Sequence, residues 1–194
     1  MTTIFLARHG ETDWNRDGRF QGRADPPLNA AGREQAHGLT EALATQPLRA
    51  VYTSPLRRAA ETAEVVAASR GLAVEPADGL REVDVGSWEG LTRADVERRY
   101  PEQFRRWLVE HAQGWDDGET YEEMGRRVVG TLLELAERHG DDPIFAVTHG
   151  GPIRAAIAAS ERITHAEARR RGPVIGNCFM AAFAAGDGHL RRLD

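Results

Sequence analysis

Short, largely apolar runs recur along the chain at residues 4–7, 50–53 and 143–148, each too short for a core helix and each followed closely by Gly or Pro. Such runs read as strands buried on both faces, as in a parallel sheet. A weaker run at 72–74 predicts a further strand. Between these runs the apolar positions change to a helical period. Ala36, Leu39 and Leu43 follow Asn29, a good N-cap, as far as about Thr45. Ser54-Pro55 reads as cap and first helical residue of a helix that buries Leu56, Ala59, Ala60, Ala63, Val66 and Ala67 and closes at Gly71. Thr120 caps a long helix with the stripe Met124, Val128, Leu132 and Leu135, and Glu122/Arg126 and Glu123/Arg127 are expected to pair on its outside. A shorter helix is expected over 153–159. Residues 92–99 and 101–111 predict two short helices with Phe104, Trp107 and Leu108 on one face, a small cap over the sheet edge within the segment 91–115. Loops are expected at 17–27 and 78–90, and a closing hairpin or edge strand from 174–184 and 189–193.

The chemistry collects where strands end. The first run stops at Arg8-His9-Gly10, at the carboxyl end of a strand, where open α/β sheets bind their ligands. Arg8 offers a bidentate cation, His9 a nitrogen able to act as nucleophile or base near neutrality, and Gly10 a backbone that a ligand can approach closely. The strand at 143–148 also ends in His-Gly, in Thr148-His149-Gly150-Gly151-Pro152. Arg57 and Arg58 occupy a helix start, where the macrodipole favours acids; an anionic ligand is the natural partner for one of them. Glu82 and Asp84 lie in the loop 78–90 and offer carboxylates if that loop reaches the same edge.

Length and composition narrow the class. With 194 residues the chain fits one domain, and its single cysteine, Cys178, excludes an internal disulfide. No apolar run reaches membrane-spanning length and no basic, apolar leader opens the chain, so a soluble, cytoplasmic protein is expected. All 25 basic residues are arginine. The absence of lysine excludes a Walker A loop, a pyridoxal Schiff base and a Ser-Lys dyad. A net charge of -5 disfavours nucleic-acid binding, and Arg169-Arg170-Arg171 reads as a solvated helix face. The histidines lack His-x-x-x-His spacing, so no metal site is expected.

Leu6-Ala7-Arg8-His9-Gly10-Glu11-Thr12, Arg19-Phe20-Gln21-Gly22, Ser54-Pro55-Leu56-Arg57-Arg58-Ala59, the block 80–90 around Glu82, and Thr148-His149-Gly150 together resemble the histidine phosphatase superfamily, in its phosphoglycerate-mutase-like branch and broad-specificity phosphatase type. The resemblance covers nearly the whole chain. It implies a three-layer α/β fold, with helices on both faces of a mainly parallel central sheet and a small helical cap. It implies that His9 is phosphorylated, that Arg8, Arg58 and His149 hold the phosphoryl oxygens, and that Glu82 donates the proton. Asn15, Gln21, Gly22 and the Gly150 backbone are expected around the same pocket. Two arginines and a histidine can neutralise the equatorial oxygens without a metal, and no cofactor is expected. His9 must present a neutral nitrogen, so its other nitrogen should donate to a carbonyl, with Gly10 a candidate. Glu82 can serve as acid because burial and a bound dianion favour the protonated carboxyl.

The expected function is hydrolysis of a small phosphomonoester through a phosphohistidine intermediate. Two alternatives stand beside it, a cofactor-dependent phosphoglycerate mutase and a non-catalytic phospho-ligand binding module. The mutase pattern has His-Gly-Asn-Ser after the second histidine and a long insertion with an arginine pair. Here that place reads His149-Gly150-Gly151-Pro152 and the chain is short. Arg93 stands where mutases have a lysine, which keeps an acidic substrate in view. A homodimer is compatible with all of this. The substrate is not named by the sequence: sugar phosphates, phosphoglycerate derivatives, nucleotide monophosphates and ribazole phosphate all occur around this branch.

Overall fold

In the computed structural model, residues 1–109 and 114–193 are described, without the Val109 side chain. The elements are β1 (Thr2–Arg8), α1 (Asp13–Arg16), α2 (Ala30–Ala42), β2 (Ala50–Thr53), α3 (Arg57–Ala68), β3 (Val74–Pro76), α4 (Arg93–Arg99), α5 (Pro101–Val109), α6 (Tyr121–His139), β4 (Ile144–Thr148), α7 (Gly150–Glu161), α8 (His165–Arg171), β5 (Met180–Gly186) and β6 (His189–Leu193). The strands make one sheet in the order β3-β2-β4-β1-β5-β6. β3, β2, β4 and β1 are parallel, while β5 runs antiparallel to β1 and forms the closing hairpin with β6. The expected α/β sandwich with a mainly parallel sheet is therefore present.

The apolar runs have no alternation because both faces of the central strands are covered. Phe145 and Val147 of β4 and Val51 of β2 pack with α2 and α3. Ile4, Leu6, Ile144 and Ala146 pack on the opposite face with α6 and α7, including the stripe Met124, Val128, Leu132 and Leu135. Truncating one of these leucines to alanine should cost about 2–5 kcal/mol.

The strand register gathers the chemical groups at one edge of the sheet. Arg8 lies opposite Thr148 and Thr53 opposite Val147, so the ends of β2, β4 and β1 are neighbours there. His9 N–H continues the ladder to Thr148 O (3.0 Å), and Ser54 N–H to Val147 O (2.8 Å). Three segments that are distant in sequence meet for this reason alone.

Several local expectations are corrected. A ladder bond just past β2 holds Ser54 to β4, so the helix expected from Ser54-Pro55 starts at Arg57, with Leu56 as an N-cap that makes no side-chain bond. β3 begins at Val74 and not Leu72, and β5 begins at Met180, with Val174 exposed. α7 starts at Gly150, ahead of the expected 153. The N-cap Thr120 hydroxyl donates to the Glu123 carboxylate (2.7 Å) and Arg127 pairs with Glu119 (2.7 Å), so the outer pair Glu123/Arg127 does not form. No ion pair joins Glu122 to Arg126 among the described residues. Phe104 and Trp107 are buried in the cap, but Leu108 is exposed. The expected end of the second cap helix, His111, lies outside the described residues. α4 and α5 pack on Trp88, which meets Phe20, Trp107 and Trp115 edge-on at centroid distances of 5.1, 5.9 and 5.8 Å.

Candidate active site

The end of β1 and the starts of α3 and α7, which follow β2 and β4, form the floor of a cavity of about 290 Å³, roofed by α5, α6 and α8. His9 lines it and is almost fully buried. Two contacts fix its ring. Nδ1–H donates to Gly10 O (2.7 Å), which leaves Nε2 unprotonated, with Arg58 Nε–H directed at it from 3.3 Å. The carbonyl expected to set the tautomer is thus that of Gly10. Burial, then Arg8 and Arg58, hold the imidazole well below the usual histidine value, so it is neutral at pH 7. Gly10 itself is required for a different reason from the expected one: a Cβ there would collide with the backbone of Gly32 in α2, not with a ligand.

Arg58 is almost completely buried, whereas Arg57 faces solvent and pairs with Glu61. Arg58 Nη1 and Nη2 donate to Ala24 O (2.6 Å) and Gly22 O (2.9 Å), so the loop after α1 aims the guanidinium at His9. Burial brings Arg58 down to about 10, leaving it cationic. Arg8 Nη1 donates to Ile175 O (2.7 Å), and its buried Nε has no hydrogen-bond partner among the described residues. His149 is fully buried beside His9, ring centroids 5.1 Å apart. Its Nε2 meets Ser54 Oγ (2.8 Å), and its buried Nδ1 has no hydrogen-bond partner among the described residues. Burial, then Arg58 and His9, keep it neutral as well.

Glu82 reaches the cavity because its loop is clamped. Thr148 Oγ1 donates to Leu80 O (2.6 Å), and Arg127 places its N–H groups on Gly79 O, Arg81 O and Glu82 O and on both oxygens of Glu119. Glu82 Oε1 accepts from Val83 N–H (2.9 Å) and Oε2 from Gly151 N–H (3.4 Å). Asp84 does not line the cavity; it receives Gly86 N–H and faces Arg23.

Asn15, Gln21, Gly22 and Gly150 line the same cavity. Asn15 Oδ1 accepts from Thr12 N–H (3.1 Å) and Asn177 Nδ2 (3.2 Å), and Asn177 also donates to His9 O (3.1 Å). Arg93 is not brought to the site. It is exposed and lies over the Trp107 ring, 5.5 Å from the centroid. Residues that sequence reasoning missed also face the cavity: Arg19, Tyr121, Arg154, His165 and Arg169. Arg169 contradicts the solvated reading of the triplet, since it stacks on Trp107 (4.1 Å) and donates to Trp107 O (3.1 Å). Arg154 had a signal, about one helical turn after Gly150. Arg169 had none. Burial pushes the Cys178 thiol up to about 11, so it offers no competing nucleophile.

A neutral imidazole with a free acceptor nitrogen, two arginines beside it and a carboxyl group across the cavity is an arrangement able to transfer a phosphoryl group. The profile of the histidine phosphatase superfamily (branch 1) matches residues 4–192. Phosphoserine phosphatase 1 of Hydrogenobacter thermophilus is 38% identical over 160 residues, covering 82% of this chain and 76% of that protein. A probable phosphoglycerate mutase GpmB of Yersinia enterocolitica is 33% identical over 186 residues, 93% of this chain and 84% of its own length. The structure of Bacillus stearothermophilus YhfR superposes with a TM-score of 0.91 at 30% identity, covering 99% of this chain and 95% of that one. The chain belongs to the histidine phosphatase superfamily. Its activity is that of a phosphomonoester hydrolase that works through a phosphohistidine on a small phosphorylated metabolite.

Proposed function

We propose that His9 is the residue phosphorylated, that Arg8, Arg58 and His149 hold the phosphoryl oxygens, and that Glu82 is the acid and base. The observation that carries this reading is the His9 ring itself, locked by Gly10 O with Nε2 against Arg58. Nε2 attacks phosphorus as the bond to the leaving oxygen breaks, and Glu82 gives that oxygen its proton. Water then attacks the phosphohistidine, loses a proton to Glu82, and the N–P bond breaks to release phosphate. Each donor on the transferring group lowers the barrier by about 3 kcal/mol. Asn15, Gln21, Gly22 and the Gly150 backbone complete the pocket. The positive charge comes from side chains, so chelator should leave the rate unchanged and added divalent ion should not raise it.

Net hydrolysis is favoured over isomerisation of the substrate by Gly151. A Cβ at that position would meet Glu82 Oε1, so the asparagine of the mutase pattern would push this carboxyl group aside, whereas Gly151 leaves it in place. We further propose one catalytic unit over 1–194 whose cap, about 91–115, contributes to substrate choice. It acts in the cytoplasm, as a monomer or homodimer, on small molecules and not on nucleic acid. The test is to supply 3-phosphoglycerate primed with 2,3-bisphosphoglycerate and measure isomer and free phosphate together. Phosphate release should dominate; isomerisation that outpaces it by a large factor overturns the hydrolase reading in favour of a mutase.

A further inference from the structure

The cavity holds more positive charge than one phosphoryl group uses. Among the described residues five arginines line it, Arg8, Arg19, Arg58, Arg154 and Arg169, against one carboxyl group, Glu82. None of the five is in an ion pair among the described residues. Arg8 and Arg58 flank His9. Arg154 and Arg169 belong to a separate group on α7 and α8, close enough that Arg169 raises the cost of the charge on Arg154.

That group is built, not incidental. Arg154 Nη1 donates to Ala168 O (3.1 Å), which joins α7 to α8, and Arg169 is fixed on the Trp107 ring and carbonyl. Trp107 Nε1–H donates to Tyr121 Oη (3.1 Å), and Tyr121 stacks on His165 at 4.0 Å and 14°. Both ring nitrogens of His165 are buried, their one polar neighbour is the Gly151 backbone, and neither makes a well-formed hydrogen bond among the described residues, although the ring faces the cavity. Buried polar atoms with unfilled hydrogen-bonding capacity beside two arginines that lack an ion pair among the described residues mark a place where a ligand supplies acceptors.

We infer that the α7–α8 end of the cavity is a second anion subsite, in which Arg154 and Arg169, with His165 beside them, grip an oxyanion carried by the part of the substrate that is not transferred. This rests on the hydrolase reading above and names its substrate class: a small phosphomonoester with a carboxylate or second phosphate. A volume near 290 Å³ lies at the small end for ligand sites and limits the substrate to a short carbon skeleton.

The matched probes are glycerol 3-phosphate, 3-phosphoglycerate and glycerol 1,3-bisphosphate, which differ only in carrying a hydroxymethyl, a carboxylate or a second phosphate at the far carbon. Wild-type kcat/KM should favour one of the two probes with a second anionic group over glycerol 3-phosphate, and which of them is favoured identifies the oxyanion. Arg154→Gln and Arg169→Gln should each reduce that preference by about 10- to 100-fold, mainly through KM. Arg154→Lys should restore part of it, and Arg191→Gln, on the exposed edge strand, should leave it unchanged. Equal wild-type rates on all three probes, or a loss that spares the preference, overturns the subsite. If no probe releases phosphate, the hydrolase reading fails instead. Calorimetric binding of the same probes then still tests the subsite, because only a working subsite holds the two with a second anionic group more tightly. A fall in thermal midpoint for the glutamine variants does not rescue it, since the wild-type comparison stands alone.

Discussion

The two ends of the cavity are built by different means. The floor at His9 is made by strand ends, where ladder bonds from His9 and Ser54 place groups from three distant segments in register and burial keeps both histidines neutral. The opposite end is made by side chains of α5, α6, α7 and α8, joined by one stacked guanidinium, one ring pair and single hydrogen bonds. A sheet edge fixes chemistry because its geometry is shared by every residue in the ladder. A helical roof can be re-cut one side chain at a time, which suits it to choosing among substrates.

The sharpest way to separate the two ends is His9→Ala. Activity on every phosphomonoester should fall by at least roughly 10⁴-fold, and acid-labile phosphate should no longer form on the protein. Labelling that persists in the variant would transfer the nucleophile elsewhere. A substitution at the roof should never abolish labelling.

Next in size is Glu82→Gln, which acts on the floor through the leaving group. The loss should be about 10²- to 10³-fold for an alkyl phosphate and about tenfold or less for an aryl phosphate, whose leaving oxygen needs little protonation. Equal losses on both, or a larger loss from Asp84→Asn, would remove Glu82 from the role.

The same contrast explains what was legible in the chain. The buried runs, the two His-Gly strand ends, the long helix and the loop with Glu82 could all be read locally, since residue types and period determine them. The convergence of Arg8, Arg58 and His149 on His9 could be reached only by resemblance until the pairing of β2, β4 and β1 supplied it. Arg169 was hidden because an arginine triplet on a polar helix looks solvated; what turns it inward is Trp107, 62 residues away. Arg93 failed in the opposite sense, because a family position carried over to it leads to an exposed side chain on the cap.

A smaller effect should come from Gly151→Asn, which tests how closely the two ends share one helix start. The new side chain must displace the Glu82 carboxyl group, the flexible partner in the collision. The expected loss is roughly 10- to 100-fold on alkyl phosphates and less on aryl phosphates, with thermal stability nearly preserved. A loss that is the same for both leaving groups would mean that the asparagine blocks the cavity and leaves the carboxyl group in place.

The smallest effect near neutral pH belongs to His165 at the roof. Burial, then Arg154 and Arg169, bring it down to about 4, against about 6.5 in an unfolded chain. Between those values the unfolded chain binds a proton that the folded protein refuses, so stability is fully present above about pH 6.5 and is lost as pH falls toward 4. The loss from this group is about 1 kcal/mol at about pH 6 and about 3 kcal/mol at about pH 4. His9 and His149 add losses of the same sign, since burial and the arginines lower both. His165→Phe keeps a ring on Tyr121 and removes only its own share. Denaturant unfolding at steps from about pH 7 to about pH 4.5 should show the variant losing stability with a slope shallower than wild type by up to about one proton, the two curves diverging below about pH 6.5. Parallel curves would mean that His165 accepts its proton in the folded protein at the ordinary pH, and the cluster of Arg154 and Arg169 around it would then be looser than the stacked geometry implies.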